Sequence, residues 1–164
     1  ENSVELDYTL YIVNSVQEEV GLQGARMIAN NIKPQVAIVT DVTHDTGTPL
    51  LNKKKVGDVQ AGKGPSVTYA PAVHNKLLGM IIDTATANEI PIQREASSRA
   101  TGTDTDAFAY SGNGVASALI SLPLRYMHTT VEMAHKDDVE GVIKLIYETL
   151  RTLESGTDFR YFSV

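Results

Sequence analysis

The chain has 164 residues, the length of one ordinary domain and enough to bury a core. Its formal charge is −6, with 14 Lys and Arg against 20 Asp and Glu, and the basic residues are scattered apart from the short Lys53-Lys54-Lys55 run. Nothing resembles a phosphate-tracking stripe, so nucleic acid is not an expected partner. The absence of cysteine removes disulfides, thiolate nucleophiles and thiolate metal sites together, leaving His, Asp and Glu to hold any metal. No apolar run approaches the roughly 18–20 residues of a membrane span, so no membrane partner is expected either. No signal peptide is visible, an absence with little weight in a chain that opens Glu1-Asn2-Ser3 without methionine.

Taken in order, the apolar, β-branched and aromatic run Tyr8–Val13 predicts a strand. Glu18 and Glu19 follow it, and Leu22, Ala25, Ile28 and Ala29 are spaced for one buried helix face before Pro34. Val36-Ala37-Ile38-Val39 is nearly continuous apolar sequence, the mark of a strand covered on both faces, and the polar stretch from Thr40 to Pro49 follows. Gly62-Lys63-Gly64-Pro65 lacks P-loop spacing, and its proline blocks a helix starting from the lysine, so the loop is expected to be structural or substrate-lining. Val73–Asn88 reads as an amphipathic helix through Leu77, Leu78, Ile81, Ile82 and Ala85, and Ile92–Ala96 as a short strand. Thr103 or Asp104 is suited to cap a short helix. Val115–Leu122 is an apolar strand closed by Pro123, and Asp137 or Asp138 is placed to cap a helix buried through Val142, Leu145, Ile146 and Leu150. Strands alternating with helices predict an α/β fold, three layers with a largely parallel central sheet and helices on both faces.

Predicted strand ends carry Glu18 and Glu19, Asp41, and His128. Carboxylate oxygens with neutral imidazole suit zinc, cobalt or manganese better than calcium. Hydrolysis at such a centre needs a bound water and a nearby carboxylate to take its proton. Adjacent side chains on a regular strand point to opposite faces, so Glu18 and Glu19 serve one site only where the strand has ended. Plainer roles stand beside these: solvated charges for the glutamates, a turn cap for Asp41, a satisfied histidine for His128. His44, near Asp41, is a candidate to support a ligand, whereas His74 and His135 carry no comparable signal.

Val16-Gln17-Glu18-Glu19-Val20-Gly21-Leu22-Gln23-Gly24-Ala25 resembles the glutamate motif of the dinuclear-metal aminopeptidases of the glutamyl aminopeptidase and tetrahedral (TET) aminopeptidase family. Thr40–Asp45, Gly62–Pro65, Gly102-Thr103-Asp104 and Arg125–Glu132 follow in that family's order. The resemblance implies that Glu18 is the general base, that Glu19 and His128 bind one metal and Asp41 the other, and that Gly102, Thr103 and Asp104 lie near bound substrate. It further implies two divalent metal ions, zinc or cobalt, short peptide substrates, a large homo-oligomer and a cytoplasmic enzyme. The family also uses an early histidine and a bridging aspartate, both upstream of the glutamate motif, with a small β-barrel domain inserted between them. Only 17 residues precede Glu18 here and none is histidine. Residues 1–164 therefore read as the C-terminal part of a metallo-aminopeptidase, inactive alone, with the N-terminal portion as its missing partner. Two other functions stay open: an endoglucanase-type glycosidase, and a non-catalytic assembly or regulatory module. Against the glycosidase, its two carboxyl groups must stand about 5–10 Å apart across a sugar ring, and the chain has no tryptophan for stacking sugars.

Overall fold

The computed structural model describes residues 5–161. Five helices and five strands occur among them: α1 (Gln23–Ile32), β1 (Val36–His44), α2 (Lys53–Val56), β2 (Ser66–Tyr69), α3 (Asn75–Ala87), β3 (Gln93–Ala96), α4 (Asp104–Ala109), β4 (Ala116–Arg125), β5 (Met133–Ala134) and α5 (Lys136–Thr152). The sheet order is β1-β4-β2-β3, with β5 added to β4. The long β1–β4 ladder and the β2–β3 pair are parallel, whereas β2 and β5 each run antiparallel to β4 for two residues. The expected α/β class holds, with a mixed but mostly parallel sheet.

Alternation along β1 builds the layers. Ala37 packs with Ala25 and Ala29 of α1 and Ala107 and Phe108 of α4. Its neighbours Val36 and Ile38 meet the larger cluster, in which Leu77, Leu78 and Ile81 of α3 and Val142 and Leu145 of α5 cover Ala118 and Ile120 of β4. Helices therefore lie on both faces, as the apolar spacing predicts.

Several local expectations change. Tyr8–Val13 forms no strand, and Ile12 is 93% exposed. Strand propensity needs a neighbour to supply the ladder, and among the described residues nothing pairs with this run. It is tied instead to the far end of α5, where Tyr8 Oη donates to the Leu150 carbonyl at 2.6 Å. β1 does not stop at Val39 but stays paired through His44, so Asp41 lies within the strand, opposite Ser121. β4 likewise runs through Pro123 to Arg125. That proline falls between the last β2 partner, at Ser121, and the first β5 partner, at Leu124, where a missing N–H is tolerated. α2, β2 and β5 are too short to leave a period in the sequence.

The cap of α5 is also different. His135 is the N-cap, its Nδ1 accepting from the Asp137 N–H, which frees Asp138 for another use. Asp138 is fully buried and accepts from the Gly62 and Gly64 N–H groups at 2.6 and 2.8 Å. The loop it holds has no slack. A Cβ on Gly64, at φ 92°, would stand 2.1 Å from the Pro91 carbonyl oxygen. The Gly62–Pro65 segment is thus a structural loop clamped by a buried carboxylate. Asp138→Ala leaves two N–H groups without an acceptor and is expected to cost about 2–5 kcal/mol in urea unfolding. A loss below about 1 kcal/mol would show that the clamp is not needed.

Candidate active site

Glu18 and Glu19 occupy a turn, not a strand end. The Gly21 and Leu22 N–H groups return to the Glu18 carbonyl at 3.1 and 3.0 Å, and Gly24 N–H returns to Val16 at 2.9 Å. Gln17, Gly21 and Leu22 have φ of 59°, 106° and 60°, and for the two non-glycine residues this left-handed conformation costs about 1–2 kcal/mol each. Close packing holds it. Gly24, in the first turn of α1, lies so near Val16 that a Cβ would meet its carbonyl oxygen at 2.4 Å. One residue earlier, Ser15 Oγ donates to Asp104 Oδ2, fastening the turn to the start of α4. The strand alternation that would have parted the two glutamates is absent here.

His128 comes from the turn after β4, with φ 63°, two residues beyond Tyr126 at φ 57°. The turn is held from inside: the His128 N–H donates to Glu132 Oε1 at 2.6 Å, and Thr129 Oγ1 donates to the Tyr126 carbonyl at 2.6 Å. His128 Nε2 stands 3.2 Å from Glu19 Oε1. Asp41 is half-buried on β1, its Oδ1 accepting from the Val42 N–H at 2.7 Å.

Charge ties these groups together. Burial raises the Glu18 carboxyl above its usual range, and the neighbouring carboxylates of Asp41, Glu19 and Asp104 raise it further, while His128 opposes them. Asp41 is raised chiefly by burial, against the Val42 N–H and His128, with Asp104 and Glu19 adding repulsion. Four carboxylates and one imidazole thus share one region. The expected substrate residues divide: Asp104 is buried beside the carboxylates with Oδ1 unpartnered, Thr103 caps α4 by accepting from the Thr105 N–H, and Gly102 is exposed with its N–H on Asp106. His74 lies elsewhere, its Nε2 2.6 Å from the Phe159 carbonyl oxygen and its ring stacked on Tyr161. The contacts that Ser15, Glu132 and Asp138 make left no mark in the sequence, because each acts on a segment remote in the chain or on a backbone turn no periodicity reveals.

Oxygen and imidazole donors have the right chemistry for a divalent metal. Their number falls short: among the described residues, no group of three or more His, Asp or Glu side chains is placed to hold one ion. The residues present do not make a metal centre by themselves.

The M42 glutamyl aminopeptidase family matches residues 1–145, and the chain belongs to it. It is 41% identical over 150 residues to a lysyl aminopeptidase of Pyrococcus furiosus, an alignment covering 92% of this chain and 42% of that protein. Among solved structures, it resembles a TET aminopeptidase from a marine sediment archaeon of the Thaumarchaeota, with TM-score 0.79 and 30% identity over 86% of this chain and 40% of the other. The Pyrococcus horikoshii TET1 peptidase, which can assemble into a tetrahedron or a large octahedral shell, is similar with TM-score 0.70 and 32% identity over 85% of this chain and 40% of that one. The chain therefore spans about two fifths of the length of these relatives. No helix among the described residues is long and apolar enough to cross a membrane.

Because both shifted carboxyls are raised, the folded chain binds their protons more tightly than the unfolded chain. The stability they contribute is complete below their ordinary values of about 4 and is lost as pH rises through the raised folded values. In chelator, Asp41→Asn should therefore raise the thermal midpoint at neutral pH. The gain should vanish below about pH 4, where both forms are neutral. A midpoint at neutral pH no higher than the parent's would contradict the repulsion.

Proposed function

We propose that this chain forms part of the active site of an aminopeptidase that removes N-terminal residues from short peptides. The observation that carries it is the convergence of Glu18, Glu19, Asp41 and His128, from three separate segments, in a chain of the M42 family. Glu18 is the general base. A carboxyl shifted upward by its neighbours is better matched to accept a proton from water near neutral pH and return it to the leaving amine. Glu19, Asp41 and His128 are assigned to a centre of two divalent metal ions, zinc or cobalt by donor type. The remaining donors are not among the described residues, and an N-terminal portion of the same protein would supply them. A large homo-oligomer is the proposed assembly, supported by the shells of the P. horikoshii relative.

Hydrolysis of aminoacyl-nitroanilides by the protein that includes this N-terminal portion, with and without chelator, tests the reading, and cellulose derivatives in parallel test the sugar-hydrolase alternative. Glu18→Gln is expected to lower kcat by about 10²–10⁴-fold while metal content is retained. Loss of metal in that variant would reassign Glu18 from base to ligand. His128→Ala should lower metal content directly, and unchanged content would remove His128 from the centre.

A further inference from the structure

The loop that presents His128 is gripped from outside as well as from within. Arg125, the last residue of β4, pairs with Met133 of β5, so residues 126–132 leave the sheet and return to it at that neck. Tyr126 opens the loop at φ 57° and His128 follows at φ 63°, both in the left-handed region that side chains disfavour. Conformations of that kind persist only where the surroundings over-determine them. Thr129 and Glu132 supply contacts inside the loop. A second set comes from Arg125.

The Arg125 guanidinium lies over the Tyr126 ring, 5.2 Å from its centroid, and Nη2 donates to Tyr126 Oη at 3.3 Å. On its other side, Arg125 Nε faces Asp45 Oδ2 at 3.8 Å. That separation is too long for a hydrogen bond, and the buried Nε has no hydrogen-bond partner among the described residues. The attraction is therefore one of charge. Because the Asp45 side chain is only 7% exposed, solvent screens it weakly. Asp45 is itself fixed: its Oδ1 accepts from the Gly47 N–H at 2.6 Å, and its own N–H donates to the Leu124 carbonyl at 2.8 Å. A buried carboxylate is costly without a cation, and Arg125 supplies one. Asp45 follows directly on the strand that carries Asp41, and Arg125 stands at the start of the loop that carries His128. The pair thus joins two sides of the candidate site.

We infer that Asp45 and Arg125 are positioning residues, which hold Tyr126 in its left-handed conformation and so set where His128 stands against Glu19. The inference rests on the aminopeptidase reading for what His128 does, but its main test needs no turnover. Amide hydrogen exchange, read by NMR on the isotope-labelled full chain, reports on the His128 N–H, whose 2.6 Å bond to Glu132 requires the loop's shape. Asp45→Asn keeps an acceptor for the Gly47 N–H and loses the charge, and Arg125→Met keeps the stem and loses the guanidinium. Each should speed exchange at His128 by about fivefold or more, as expected where a bond to a charged group is weakened. The Gly62 and Gly64 N–H groups, held by Asp138, should keep their rates. Arg125→Lys, which retains the charge facing Asp45 without the planar contact on Tyr126, should restore part of the protection. Unchanged exchange at His128 in both variants, or equal acceleration at Gly62 and Gly64, would overturn the inference. Where a variant fails to fold, Tyr126→Leu removes the ring that Arg125 grips and should give the same local acceleration; its absence counts against the brace equally. In the protein that includes the N-terminal portion, Asp45→Asn should lower kcat for nitroanilides by about tenfold with KM little changed, and Arg125→Met should do the same, with Arg125→Lys recovering part. Faster exchange at His128 in a protein without turnover supports the brace and sinks the aminopeptidase reading. Turnover with kcat untouched by Asp45→Asn sinks the brace and keeps that reading.

Discussion

The parallel ladder between β1 and β4 is the constraint on which the rest of the structure depends. Val36 to His44 stays in register with Ala116 to Leu124, with both strands running the same way. Parallel strands cannot be joined by a hairpin, so the chain between them has to leave the sheet and return. In doing so it lays down α2, β2, α3, β3 and α4, and brings Thr103 and Asp104 back to the face that carries Asp41 and Thr43. The same ladder carries β4 past Pro123 and delivers the turn holding His128 at the end where Asp41 lies. Opposite-face packing against α3 and α5 keeps the ladder dry and gives the site a rigid floor.

Above that floor, the side chains are held where their charges oppose one another. Glu18, Glu19, Asp41 and Asp104 repel, and His128, with the Val42 N–H on Asp41, offsets them. Backbone strain accompanies the repulsion: Gln17, Leu22, Tyr126 and His128 all take left-handed conformations in the two turns that present these groups. Neither cost persists without over-determination, which comes from Ser15 on Asp104, Gly24 against Val16 and Glu132 on the His128 amide. A region arranged in this way stabilises the approach of positive charge, whether an ion or the ammonium of a substrate.

Much of this was legible before any coordinates. The helix faces of α1, α3 and α5 follow from apolar spacing, since residues three and four apart must share a side whatever they pack against. The Val36–Val39 run announces a strand covered on both faces. The Glu18-Glu19, Asp41 and His128 groups stand out as metal-competent residue types, and the ordered motifs point to the M42 family, which the family match bears out. Local cues failed where pairing partners decided the outcome. Tyr8–Val13 has the composition of a strand and nothing beside it among the described residues, so it stays irregular. Asp138 looks like a helix cap and is instead buried beneath a loop far away in sequence.

The opening composition and the apolar periods by themselves determined the class of fold, the faces of its helices and the kinds of side chain available for chemistry. Those properties depend on residue type and on spacing along one element. Only the tertiary structure decided that the two glutamates leave a turn together, and that four carboxylates share one region with an imidazole. These depend on contacts between segments tens of residues apart, whose energies are set by distance and burial in three dimensions, and no repeat along the chain encodes them.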